Sequence, residues 1–172
     1  MLYNEGEATS SFVAKFDTSG NFVWVKQLID THVGDYGGPF INDLIQNNEG
    51  NILMTGYFDD STYFDFGNSD FCLYPEGEPA GFLWILDSDG NFLDAIKFDG
   101  QGYCNPDKLI TDNSNNILIT GSFRNEIDFD PDLGIANLNA PEFSSNAFIC
   151  KLDSSYKFIW VKQLENSTMG LS

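Results

Sequence analysis

Carboxylates are the most abundant groups in this chain that could do chemistry, and three of them alternate. Asp128, Asp130 and Asp132 take every second position of Asp-Phe-Asp-Pro-Asp, so an extended backbone turns at least two of them to one side. Calcium is held by about six or more oxygen ligands, many of them carboxylate, which makes this run the candidate calcium site. A second acidic loop, Asp87-Ser-Asp-Gly-Asn91, begins as a calcium loop does, but no Glu stands at its twelfth position. Asp followed by Gly-Asn suits a hairpin turn, in which Asp bonds back to nearby N–H groups and Gly supplies a positive φ. Two acids could also hydrolyse a glycoside, but nothing in the spacing singles out a pair among 26 acidic residues. The single histidine, His32, lies beside a Gly-rich loop with no nucleophile motif near it, and neither Gly-x-Ser-x-Gly nor a phosphate-binding loop occurs. The chain is expected to be non-catalytic, with no cofactor other than possible calcium.

The remaining reactive groups read as structure. Cys72, Cys104 and Cys150 form no CxxC pair and have no zinc-ligand spacing, so free, mostly buried thiols are expected. Trp24, Trp84 and Trp160 fall within apolar strand patterns and are expected to pack between layers of sheet rather than to stack on sugars. A net charge of −18, from 26 acidic against 8 basic residues, repels nucleic acid and anionic membrane surfaces. No apolar run approaches the roughly 20 residues of a membrane-spanning helix. The opening Met1-Leu-Tyr-Asn-Glu-Gly-Glu7 is acidic where a secretory leader would be basic. A protein or glycan ligand remains open as a partner.

What must position these groups is a repeat. The run Phe12 to Leu28, with Asp17-Thr-Ser-Gly-Asn21 and Trp24-Val-Lys-Gln27 inside it, returns from Phe82 to Phe98 and from Phe148 to Leu164. Between these runs, Asn51-Ile-Leu-Met-Thr-Gly-Tyr-Phe58 matches Asn116-Ile-Leu-Ile-Thr-Gly-Ser-Phe123. Both faces of these segments are largely apolar, no helical period is visible, and Asp-x-x-Gly-Asn marks the hairpins. The expected unit has strands at 40–46, 51–58, 81–86 and 91–98, with a long acidic connection from Asp59 to Pro79. A four-stranded antiparallel meander repeated at about 65 residues is a propeller blade. In the second unit the last turn, Ser154-Ser-Tyr-Lys157, lacks glycine, and a looser hairpin is expected there.

The fold class is therefore all-β, an incomplete β-propeller-like array. Residues 1–28 form a half blade (its third and fourth strands), 29–98 and 99–164 full blades, and 165–172 a tail. Leu2-Tyr-Asn-Glu-Gly-Glu-Ala8 echoes Leu73-Tyr-Pro-Glu-Gly-Glu-Pro79, which sits mid-repeat, so the chain opens inside a blade. Two and a half blades cannot close a ring, since propellers need about four. Self-association, or the remainder of a longer propeller, is the expected partner.

Gly50-Asn-Ile-Leu-Met-Thr-Gly-Tyr-Phe58, Ile127-Asp-Phe-Asp-Pro131 and Phe12-Val-Ala-Lys-Phe-Asp-Thr-Ser-Gly-Asn-Phe-Val-Trp-Val-Lys-Gln27 together resemble the bacterial SBBP-type β-propeller repeat, over roughly residues 2–164. The first unit departs at Tyr63-Phe-Asp-Phe-Gly67, where Asp-Phe-Asp-Pro would stand. The resemblance implies a scaffold or binding module in a larger secreted or cell-surface bacterial protein, with no shared catalytic residues. A signal peptide and a sorting domain, frequent in that family, are not recognisable in this sequence.

Overall fold

A computed structural model describes residues 10–30, 38–65, 71–141 and 144–164; His32 and the segment 2–8 lie outside them. Among these residues there are strands and turns but no helix. The half blade is β1 (Ser10–Phe16) and β2 (Phe22–Asp30). The middle blade is β3 (Phe40–Gln46), β4 (Ile52–Phe58), β7 (Ala80–Leu86) and β8 (Phe92–Gly100). The last blade is β9 (Cys104–Thr111), β10 (Ile117–Phe123), β13 (Asn146–Leu152) and β14 (Phe158–Leu164). All pairings are antiparallel, and both full blades run as meanders in sequence order. The array is open, as expected.

The acidic connections are not simple loops. The first contains a hairpin, β5 (Thr62–Asp65) with β6 (Phe71–Leu73), and the second another, β11 (Glu126–Asp128) with β12 (Asn137–Asn139). Each hairpin reaches back to the blade before it. Tyr63 and Thr62 pair with Ile29 and Asp30 at the end of β2, while Asp128 and Ile127 pair with Asp99 and Gly100 at the end of β8. Consecutive blades are thus latched by backbone hydrogen bonds as well as by packing.

An aromatic cluster recurs at each latch. Phe58 of β4, Phe64 of the hairpin and Phe82 of β7 meet at centroid distances of 5.7, 6.3 and 5.2 Å. Phe123, Phe129 and Phe148 repeat the arrangement at 5.9, 6.4 and 4.6 Å. All six rings are essentially inaccessible to water. Tilted and edge-on packing of this kind adds to the burial of large rings. The glycine of each Thr-Gly-x-Phe has a steric cause. A Cβ on Gly56 would overlap the Phe40 carbonyl oxygen, and one on Gly121 the carbonyl oxygen of Asn105, because a bulge in the facing strand brings its backbone close.

Among the described residues, five copies of one turn close hairpins, at Asp17–Asn21, Asn47–Asn51, Asp87–Asn91, Asp112–Asn116 and Asp153–Lys157. In each, one side-chain oxygen of the first residue accepts the N–H groups two and four positions on, at 2.7–3.0 Å. The last copy, which lacks glycine as the turn at Asp112–Asn116 also does, keeps this pattern. Tyr156 takes φ +66° where Gly90 takes +80°, and the turn hydrogen bond from Tyr156 N–H to the Asp153 carbonyl is 3.0 Å. The expected loosening is absent because Asp153 organises the turn and the tyrosine ring is held by packing against the core.

Candidate functional site: the cleft between the middle and last blades

The strands are alike, so the departures from the repeat locate the site. Trp24-Val-Lys-Gln27 and Trp160-Val-Lys-Gln163 occupy equivalent places in β2 and β14; β8 has Asp94-Ala-Ile-Lys97 instead. At the first junction, Trp24 lies over the turn of the middle blade. A Cβ on Gly90 would come within 2.8 Å of the indole ring, so the turn must be bare for the tryptophan to fit. At the second junction both partners are exchanged. Asp94 stands for tryptophan and Tyr156 for the turn glycine, and the two line a cleft of about 610 Å³ instead of filling it.

Carboxylates dominate this cleft. Asp94, Asp99, Glu76, Glu126, Asp128, Asp130 and Asp132 line it, against two cations, Lys97 and Lys157. Both lysines are already engaged. Lys97 Nζ donates to Asp99 at 2.7 Å and to the Tyr74 carbonyl at 2.8 Å, with Glu76 at 3.7 Å. Asp99 is buried, and its other bonds come from the N–H groups of Glu76 and Gly100. That pair clamps the segment running from the hairpin into β7. Lys157 Nζ donates to Asp132 at 2.6 Å, and this bond raises its pKa above the ordinary lysine value. Burial raises the Tyr156 phenol, which accepts a hydrogen bond from Asn51 Nδ2 at 3.2 Å.

The three candidate calcium carboxylates sit on the rim of this cleft. Asp128 Oδ1 accepts the N–H groups of Asp130 and Ala136, at 3.0 and 2.9 Å; Asp130 Oδ1 accepts that of Asp132 at 3.0 Å. With Lys157 on Asp132, each carboxylate holds the loop after β11 or the neighbouring turn. Among the described residues no group of three or more His, Cys, Asp or Glu is arranged to hold a metal ion. Asp87 caps its own hairpin turn. The cysteines are free thiols, Cys104 and Cys150 buried. Burial pushes Cys150 up to about 12 and Cys104 well above its ordinary value. Trp84 is buried in the middle blade against Phe64, 6.3 Å between centroids.

Sequence reasoning singled out Asp128, Asp130 and Asp132 as a calcium site, and did not single out Asp94, Lys97 or Tyr156. The signal for them was present as the fourth strand that lacks Trp-Val-Lys-Gln, and as a tyrosine at the turn position held by glycine or asparagine in the other copies.

No protein-family model matches the chain. It is similar to an uncharacterized WD repeat-containing protein of Acanthamoeba polyphaga mimivirus, 26% identical over 117 residues. Those residues are 66% of this chain and 8% of that much longer protein. The likeness and the four-stranded blades together point to a β-propeller type of repeat.

Proposed function

We propose that the chain is a non-catalytic propeller-repeat module, and that the cleft between its middle and last blades recognises a Lys- or Arg-bearing segment of a partner protein. The observation that carries this reading is the exchange at that junction. A packed Trp–Gly contact becomes an open recess lined by seven carboxylates, with its two lysines already bonded. Uncompensated carboxylates in a recess favour a cation, and low-dielectric walls strengthen that preference. The match to a WD repeat-containing protein supports a scaffold role. The resemblance to bacterial SBBP-type repeats supports a place in a larger extracellular or cell-surface protein.

The double variant Asp94→Trp, Tyr156→Gly restores the repeat and fills the cleft. An oligolysine peptide titrated at about physiological ionic strength, where exposed charges are screened beyond about 8 Å, should bind the native chain and lose at least about tenfold in affinity for the variant. Equal affinity for both proteins would show that the peptide reads only overall charge, and would overturn the assignment to the cleft.

A further inference from the structure

The same residue is buried twice and exposed once. Phe82 and Phe148 are 0% exposed, while their counterpart Phe12 on β1 is 60% exposed; Phe16 is 57% exposed where Leu86 and Leu152 are at 1% and 0%. The cause lies in what covers them. β7 pairs with β8 on one side and β4 on the other, and β13 lies between β14 and β10, whereas β1 pairs with β2 alone among the described residues.

We infer that the open edge of β1 is a strand-acceptor site. Its occupant is a β-hairpin with the chemistry of this chain's own β3–β4 pair, supplied by another segment of repeat type. An intact second copy does not supply it, because its own β4 and β10 are paired on both sides. The β4–β7 ladder gives the register. There Ile52 faces Leu86, Met54 faces Trp84, Gly56 faces Phe82 and Phe58 faces Ala80. Carried back to β1, the incoming isoleucine sits opposite Phe16, the glycine opposite Phe12, and the closing phenylalanine opposite Ser10. The threonine before that glycine also has a role, since Thr55 Oγ1 donates to the Phe82 carbonyl at 2.7 Å in the buried middle blade; on β1 the acceptor is the carbonyl of Phe12. Strand addition to an exposed edge takes affinity from main-chain bonds and specificity from alternate side chains. Ala14, where the full blades carry Trp84 and Cys150, leaves room for a bulky residue on the incoming strand. This inference rests on the repeat reading but fails separately from it, because the β4–β7 ladder stands whether or not β1 takes a strand.

The test uses a synthetic peptide of residues 38–58 added to the full chain, with the same peptide scrambled as control. Saturable 1:1 binding, weakened at least about tenfold by Phe12→Asp, is expected. Phe12 is exposed, so this variant should keep the melting temperature of the native chain. Absence of binding at millimolar peptide, or equal binding to Phe12→Asp, overturns the site. A second arm is indifferent to peptide solubility: residues 38–58 are duplicated ahead of Ser10 through a flexible linker. Amides on the open side of β1 should then exchange at least about 100-fold more slowly, and unchanged exchange overturns the proposal.

Discussion

The two blade junctions solve one packing problem in opposite ways. At the first, a large side chain on the fourth strand, Trp24, lies on a bare turn at Gly90; at the second, a small acid, Asp94, faces a large turn residue, Tyr156. The first solution leaves a filled interface and the second an open acidic recess. The difference teaches that the latch and the lining of a junction are separable. Both junctions keep the backbone latch and the three-phenylalanine cluster, so the residues beside them are free to vary without unfastening the blades.

Breaking the shared part should have the largest effect. Phe82→Ala and Phe148→Ala each remove a buried ring from a latch cluster and should cost about 3–5 kcal/mol in denaturant unfolding. Phe12→Ala, at the same repeat position, should cost under about 1 kcal/mol, as surface truncations generally do. Equal losses at all three positions would show that β1 is covered in solution.

Exchanging the variable part should have an intermediate effect. Gly90→Tyr drives a side chain into Trp24 and should cost about 1–3 kcal/mol, the usual range for overpacking. Trp24→Asp added to it imports the pattern of the second junction and should recover part of that loss, with a coupling of about 0.5–3 kcal/mol. Strict additivity of the two changes would mean that the exchanged residues at the second junction are unrelated.

The smallest effect concerns acid. Hydrogen bonds from the partner asparagine hold the carboxyls of Asp17, Asp87 and Asp112 below their ordinary value, and Lys151 at 3.0 Å adds to the effect on Asp112. A carboxyl with a folded pKa below its unfolded 3.8 binds protons more readily in the unfolded chain. Its stabilisation is therefore complete above about pH 4 and is lost as the pH falls below that. Asp112→Asn should flatten the fall of melting temperature on the acid side and leave the slope at neutral pH unchanged. An unaltered acid slope would remove Asp112 from that role.

Much of the fold was legible in the sequence, for a local reason. The expected strand at 40–46 coincides with β3, and the other expected strands differ from those observed by a few residues at their ends. Apolar runs of seven residues and Asp-capped turns signal themselves without distant partners. The hairpins β5–β6 and β11–β12 escaped notice because strands of three or four residues are too short to show alternation, and because their partner lies in the preceding repeat. The acids at 128–132 were visible as a cluster, but not their use as caps for the following loop, which depends on where that loop folds.

By itself the sequence determined the repeat, the strand order within each full blade and most of the hairpin turns, since all of these rest on bonds between residues near in the chain. Only the tertiary structure decided which blade each hairpin latches, that Tyr156 can hold a glycine's conformation, and that Asp94 opens a cleft where Trp24 fills one. Those outcomes depend on contacts between blades, where the space left by one repeat fixes what the next can place there.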